Sequence, residues 1–225
     1  EIEEYLEEIS HETSGFYRPN FFVNTPDILT EYLQFGGPAA FKVRAALAAT
    51  ASPLWGVYAG YELFEHVARP GAEEYIDNEK FQLRPRDFDG AVQRGESLAP
   101  YLTRLNQIRR DHPALGDLQN LTLQSASDDA IVAFSKTKTV DRDGVQVKDT
   151  VVVVVNTDPH ATREATVWLD LDALDLRDQD FNEDGSFWVD DLITGSSWKW
   201  GTHNYVRLDP YVEPVHVLSI RRDVK

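Results

Sequence analysis

The chain has 225 residues, 42% of them hydrophobic, enough for one large or two ordinary domains with a substantial core, and this excludes wholesale disorder. With 38 acidic against 22 basic residues the formal net charge is −16, which argues against the basic footprint that nucleic acid or an anionic membrane surface requires. There is no Cys, so disulfides and thiolate metal sites are excluded as well, as fits a reducing compartment.

No run approaches a membrane span, and no signal-peptide pattern opens the sequence. The sequence starts at Glu1 and contains no Met, so the expectation is a trimmed N-terminus or, better, a portion of a longer protein. Residues 1–9 place Ile2, Tyr5, Leu6 and Ile9 at helical spacing and read as the tail of a helix. Residues 11–18 are polar, carry Gly15, and read as a loop. Phe21, Phe22 and Val23 then form a short apolar run that suits a buried strand, stopped by Asn24 and Pro26. Asp27 falls just past that stop. Two readings of it stand side by side. At the C-terminal end of a strand in a parallel barrel, a carboxylate is placed for chemistry. Asp is also a preferred N-cap, here for a helix with Ile28, Leu29, Tyr32 and Leu33 on its buried face.

Gly36-Gly37-Pro38 breaks the chain, with Pro well placed for the first turn of a new helix. Residues 39–51 are Ala-rich and strongly helical, with Phe41, Val43, Leu47 and Ala48 directed inward. Residues 54–58 read as a second apolar strand, so that strand, helix and strand make a right-handed βαβ unit with parallel pairing. Glu62 is again a carboxylate beyond a strand's end. Residues 65–95 show no clear period and read as a long loop, of the kind that is usually functional or mobile. Residues 96–111 read as an amphipathic helix with Leu98, Tyr101, Leu102, Leu105 and Ile108 inward and Arg104, Arg109 and Arg110 outward.

From Leu118 the texture becomes β-rich. Runs at 121–123, 130–134, 150–155, 165–169, 187–192, 205–208 and 215–220 are separated by turn residues at Asp143-Gly144, 156–159, Asp184-Gly185 and Gly195-Ser196, the pattern of an antiparallel sandwich. The domain boundary is placed near 114–117, giving domains over 1–116 and 117–225. Two parallel strands cannot bury both faces of a sheet, and a complete eight-fold barrel takes about 250 residues. The remaining strands are therefore expected from chain not included here.

Other signals are weaker. Residues 180–191 match the spacing of a calcium loop, but Asp191 stands at the twelfth place where Glu is expected and no helix follows; an acidic hairpin is the better reading, and no metal site is assigned. The six His residues show no ligand spacing, and nothing resembles a nucleophile elbow. Trp188, Trp198 and Trp200 are read as core and edge of the β-rich region rather than as a sugar platform.

The stretch FFVNTPDIL at 21–29 resembles the seventh-strand motif of the α-amylase superfamily, and PLWGVYAGYE at 53–62 is similar to its eighth strand. Within that superfamily, NTPDIL, EYLQFGGPAAF, GYELFE and NEKFQLRPRD resemble the α-1,4-glucan:maltose-1-phosphate maltosyltransferases. The resemblance implies the last strands and helices of a (β/α)8 TIM barrel followed by a β-sandwich. It implies a retaining transferase that moves maltosyl from maltose 1-phosphate to the non-reducing end of an α-1,4-glucan and releases phosphate. Asp27 matches the third carboxylate, which stabilises the transition state. Lys80 and Phe81 match a Lys-Tyr pair that reaches the outer glucose of the donor, with Phe81 lacking the usual hydroxyl; the plain reading of Lys80 is a surface salt bridge. Glu62 is expected to support the barrel mouth. The nucleophile and acid/base belong to strands outside this sequence, so the chain alone is expected to be inactive. No cofactor is implied. A cytoplasmic, homodimeric enzyme is, with dimer contacts mainly outside this sequence. The alternatives are a hydrolase or trehalose synthase of the same superfamily, a non-catalytic glucan-binding module, or a folded piece without activity of its own.

Overall fold

The structure is a computed structural model and describes residues 1–77 and 83–222. Helix α1 (Ile2–Glu7) runs into a π-helical turn at Glu8–Glu12 and buries Leu6 and Ile9. Strand β1 (Asn20–Phe22) follows, then α2 (Glu31–Phe35), α3 (Gly37–Ala51) and β2 (Leu54–Gly56). β1 and β2 pair in parallel, Asn20 opposite Leu54 and Phe22 opposite Gly56, as expected of a βαβ unit. At Gly56 the Phe22 ring lies close over the backbone, and a Cβ there would displace it.

Helix α3 is buried on nearly every side, with Ala39, Ala40, Ala45, Ala46, Ala48, Ala49 and Ala51 all buried. The expected inward face was narrower. The reason is that α3 packs on β1 and β2, on α2, on α5 (Ala99–Asp111), and on the β-rich region through β5 and β10. A helix enclosed in this way needs small side chains all round. Residues 65–95, expected to be a loop, contain a short helix α4 (Phe88–Arg94). Asp87 caps it by accepting the Gly90 N–H at 3.0 Å, and Gly95 closes it in the left-handed conformation.

The β-rich region is a single eight-stranded antiparallel sheet. Its strands are β3 (Leu121–Ala126), β4 (Ile131–Arg142), β5 (Val145–Asn156), β6 (Arg163–Trp168), β7 (Phe187–Asp191), β8 (Ser197–Trp200), β9 (His203–Leu208) and β10 (Val215–Ile220), in the order β8-β7-β10-β5-β4-β3-β6-β9. The two halves of the expected sandwich are joined by β3: Leu121 to Gln124 pair with β4, whereas Ser125 and Ala126 pair with β6. The sheet turns a corner at that strand, so residues from β6 and β9 share one core with residues from β7, β8 and β10.

β5 lies at the centre. Val151, Val153 and Val155 join the core that contains α3 and α5, while Val152 and Val154 join the core inside the folded sheet. All five are fully inaccessible, so the strand reads as a continuous apolar run. The first core therefore continues across residues 114–117.

The C-terminal end of α3 abuts this sheet and leaves carbonyls without helical partners. Arg109, expected to face solvent, instead turns in and donates to the carbonyls of Ala49, Ser52 and Pro53. Lys136, fully buried on β4, donates to the carbonyls of Ala51 and Asp117. Burial pushes the Lys136 ammonium down to about 7, with Arg109 adding to the shift and Asp117 opposing it. Between pH 7 and the ordinary lysine range the unfolded chain then binds the more protons, so this group's contribution to stability rises with pH by up to about 1.4 kcal/mol per unit. The stability of Lys136→Met relative to the parent should accordingly fall as pH rises from 7 to 9.5 in urea denaturation. Parallel stability–pH curves for the two proteins would refute it.

Candidate active site

The ends of β1 and β2 lie side by side and are tied together by one side chain. Asn24, 1% exposed, accepts the backbone N–H of Tyr58 at 2.9 Å. Its amide nitrogen donates to the Tyr75 hydroxyl at 2.7 Å. The Tyr58 N–H can only donate, so the orientation of the Asn24 amide is forced. Below it, the Val23 N–H continues the ladder to the Gly56 carbonyl at 3.0 Å, and Arg44 of α3 donates to the Val23 carbonyl.

Asp27 follows in a tight turn. Thr25 and Ile28 exchange both backbone hydrogen bonds, at 3.1 and 3.2 Å. The side chain of Asp27 is exposed, beyond the C-terminal end of β1. It does not cap α2. The N-cap position belongs to Thr30, and the first helical N–H, that of Glu31, is taken by the Glu73 carboxylate at 2.9 Å. The capping reading of Asp27 therefore fails, because the turn at 25–28 separates it from the helix start. Ile28, expected on a buried face, is exposed, while Leu29 and Leu33 are buried.

Beyond β2 the chain makes a left-handed bend at Gly60. Glu62 accepts the Gly60 N–H at 2.9 Å, and its carbonyl receives the Leu98 N–H and the Ser97 hydroxyl. It thus holds the bend and the start of α5. Next to it Arg84 and Arg86, from the NEKFQLRPRD stretch, meet Glu65, a pairing that the sequence did not show. Glu65 forms a two-pronged pair with Arg86, at 2.7 and 3.0 Å, and Arg84 lies between Glu65 and Asp77. The Arg86 guanidinium, bonded to Glu65, is held above the usual range. Lys80 and Phe81 lie outside the described residues.

The remaining candidates separate. Asp180 is paired with Arg222, and Asp191 is engaged by His216, Thr194 and the Ile193 N–H. The two ends of the calcium-like stretch thus serve different partners. Trp200 is buried in the sheet core, Trp198 packs against the His216 ring, and Trp188 lies under Lys199 and Arg221.

The fold, a parallel βαβ unit joined to an antiparallel β domain, is shared with solved structures of α-glucan-active proteins. Among solved structures, an α-amylase from Geobacillus thermoleovorans aligns with a TM-score of 0.60 at 14% identity, over 98% of this chain and 44% of that one. The cyclomaltodextrin glucanotransferase CldA aligns with a TM-score of 0.62 at 18% identity, over 97% and 41%. A family model described as "GLGE, C-terminal" matches residues 123–220. The α-1,4-glucan:maltose-1-phosphate maltosyltransferase 2 of Streptomyces coelicolor is 52% identical across 99% of this chain, and the maltosyltransferase of Mycolicibacterium smegmatis 51% across 98%. Over nearly its whole length the chain is similar to one portion of these maltosyltransferases, and its residues 123–220 match a model of their C-terminal region. It spans 31% and 30% of the length of those two relatives.

The bend after β2 provides a stability test of this geometry. Gly60 has a φ of 101°, and a Cβ on it would lie 2.1 Å from the Glu65 carboxylate. Gly60→Ala should lower stability by about 1–3 kcal/mol, read as the shift in chemical denaturation midpoint. The Glu65→Ala background, which removes the obstructing carboxylate, should reduce but not abolish that cost.

Proposed function

We propose that this chain supplies the last two strands of a catalytic (β/α)8 barrel and the adjoining β domain of a retaining maltosyltransferase. The donor is maltose 1-phosphate, the acceptor an α-1,4-glucan, and the product side releases phosphate. The observation that carries the reading is the identity of about half over 98–99% of the chain with named maltosyltransferases, together with Asp27 at the C-terminal end of a parallel strand, where barrel enzymes do their chemistry.

Among the described residues β1 pairs with β2 alone. Phe22 is 50% and Leu54 56% exposed. Beside β1, a cavity of about 470 Å³ is lined by Ile2, Tyr5, Phe21, Val23 and Leu47. In the assembled enzyme the preceding barrel strands would cover these surfaces and carry the nucleophile and the acid/base. Asp27 would bind hydroxyls of the reacting sugar and favour its positively charged transition state, a task suited to a fixed anion near developing charge. Lys80 and Phe81 would reach the outer glucose of the donor. Glu62 supports the mouth rather than reacting. The enzyme would act as a cytoplasmic homodimer.

The test is phosphate release from maltose 1-phosphate by the assembled enzyme, meaning this chain together with the strands that carry the other two carboxylates. Asp27→Asn should lower the rate about 10²–10³-fold. Release that depends on glucan supports transfer; equal release without glucan would favour a hydrolase instead.

A further inference from the structure

The stretch that carries Asp27 is held from both sides by a single short hairpin distant in sequence. Upstream of Asp27, Asn24 donates to the hydroxyl of Tyr75 at 2.7 Å, 51 residues away. Downstream, the Leu29 N–H donates to the Glu73 carbonyl at 2.6 Å, and the Glu31 N–H to the Glu73 carboxylate at 2.9 Å. Between those anchors the turn at 25–28 closes with two backbone hydrogen bonds. The hairpin is itself closed by pairing of Ala68 with Tyr75 and by Arg69 and Glu74, which share a backbone hydrogen bond and a 2.8 Å ion pair. Tyr75 is 3% exposed, and its ring packs against Tyr58 at 5.8 Å, at the end of β2. The brace therefore reaches both strand ends and both sides of Asp27.

We propose that Tyr75 and Glu73 are positioning residues that set the height and direction of Asp27 at the barrel mouth, Tyr75 acting through Asn24. The inference rests on the assignment of Asp27 to the transfer reaction. Neither residue needs to touch substrate. Removing the Tyr75 hydroxyl leaves the Asn24 amide with a buried donor unmade and loosens the peptide three residues before Asp27. A displacement of about 1 Å at a reacting group is enough to cost up to about 10²-fold in rate.

The experiment compares Tyr75→Phe, Glu73→Ala and Asp27→Asn in the assembled enzyme, with maltose 1-phosphate and glucan as substrates. Tyr75→Phe keeps the ring and its packing. It should lower kcat about tenfold while KM for maltose 1-phosphate changes by less than about twofold, because the hydrogen bonds at issue act on the transition state more than on the bound donor. Glu73→Ala, at an exposed position, should show the same kcat-selective loss to a smaller degree. A wild-type kcat in Tyr75→Phe overturns the inference. So does a fall in activity matched by loss of folded protein in thermal melts, with kcat per folded molecule unchanged. If Asp27→Asn itself retains the parental rate, it is the assignment of Asp27 that fails, whatever Tyr75→Phe does.

Discussion

The structure depends on a strand that has no solvent side. Val151 to Val155 present alternate side chains to two different cores, one shared with α3 and α5 and one inside the folded sheet. Burying a valine contributes roughly 1.5 kcal/mol or more, so this strand, together with Val215 and Val217 of β10 and Phe134 of β4, joins the parallel unit to the antiparallel domain. α3, sheathed in alanine, can approach β5 and β10 closely for the same reason. The two regions differ in texture but share one core, while a second lies inside the folded sheet. What happens at the strand ends of the parallel unit is thereby fixed with respect to the whole sheet.

Such welding creates a polar problem at the seam. The C-terminal carbonyls of α3 point into protein, where water cannot serve them, and an unpaired buried carbonyl is costly. Arg109 and Lys136 come from the two neighbouring elements to serve them, and cations suit the negative end of the helix dipole. Asp149 plays the complementary part at the end of α5: it accepts from the Ala114 N–H and pairs with His112. These buried charges are consequences of how the elements meet: Lys136 and Asp149 find partners across the seam, in Ala51 and in His112 and Ala114, while Arg109 serves the end of α3 from α5.

Much of the fold was readable from the chain. The valine run, the alternating strands and the Asp143-Gly144 turn, both of whose residues take positive φ, each carry a local signature. The distal halves of β4 and β5 carry none. From Thr137 to Lys148 their side chains are mostly polar and half-exposed, so pairing there follows from register rather than from hydrophobic pattern. Helix α4 is too short for periodicity to show, although its Asp and Gly caps were present to be read. Arg109 looked like a solvent-facing residue because helical spacing reports one stripe, and α5 is contacted on more than one. The domain division at 114–117 followed composition, which does not register a shared core.

The sequence singled out Asp27 as a candidate but not the hydrogen bonds that hold the stretch around it. Asp27 drew notice as a carboxylate just past an apolar run and a proline, and the N-cap position of α2 belongs to Thr30 instead. Asn24 was legible only as a strand stop. Its partner Tyr75 sits in a stretch without period, and no local rule links residues 51 positions apart. The same holds for Glu65 and Arg86, whose pairing fastens the chain before α4 to the bend after β2. Loops at strand ends are irregular, and side-chain contacts between them can still hold them in place. Here the rigidity comes from side-chain hydrogen bonds between loops, satisfied one by one. Such bonds leave no periodic trace in a sequence, which is why geometry was needed to find them.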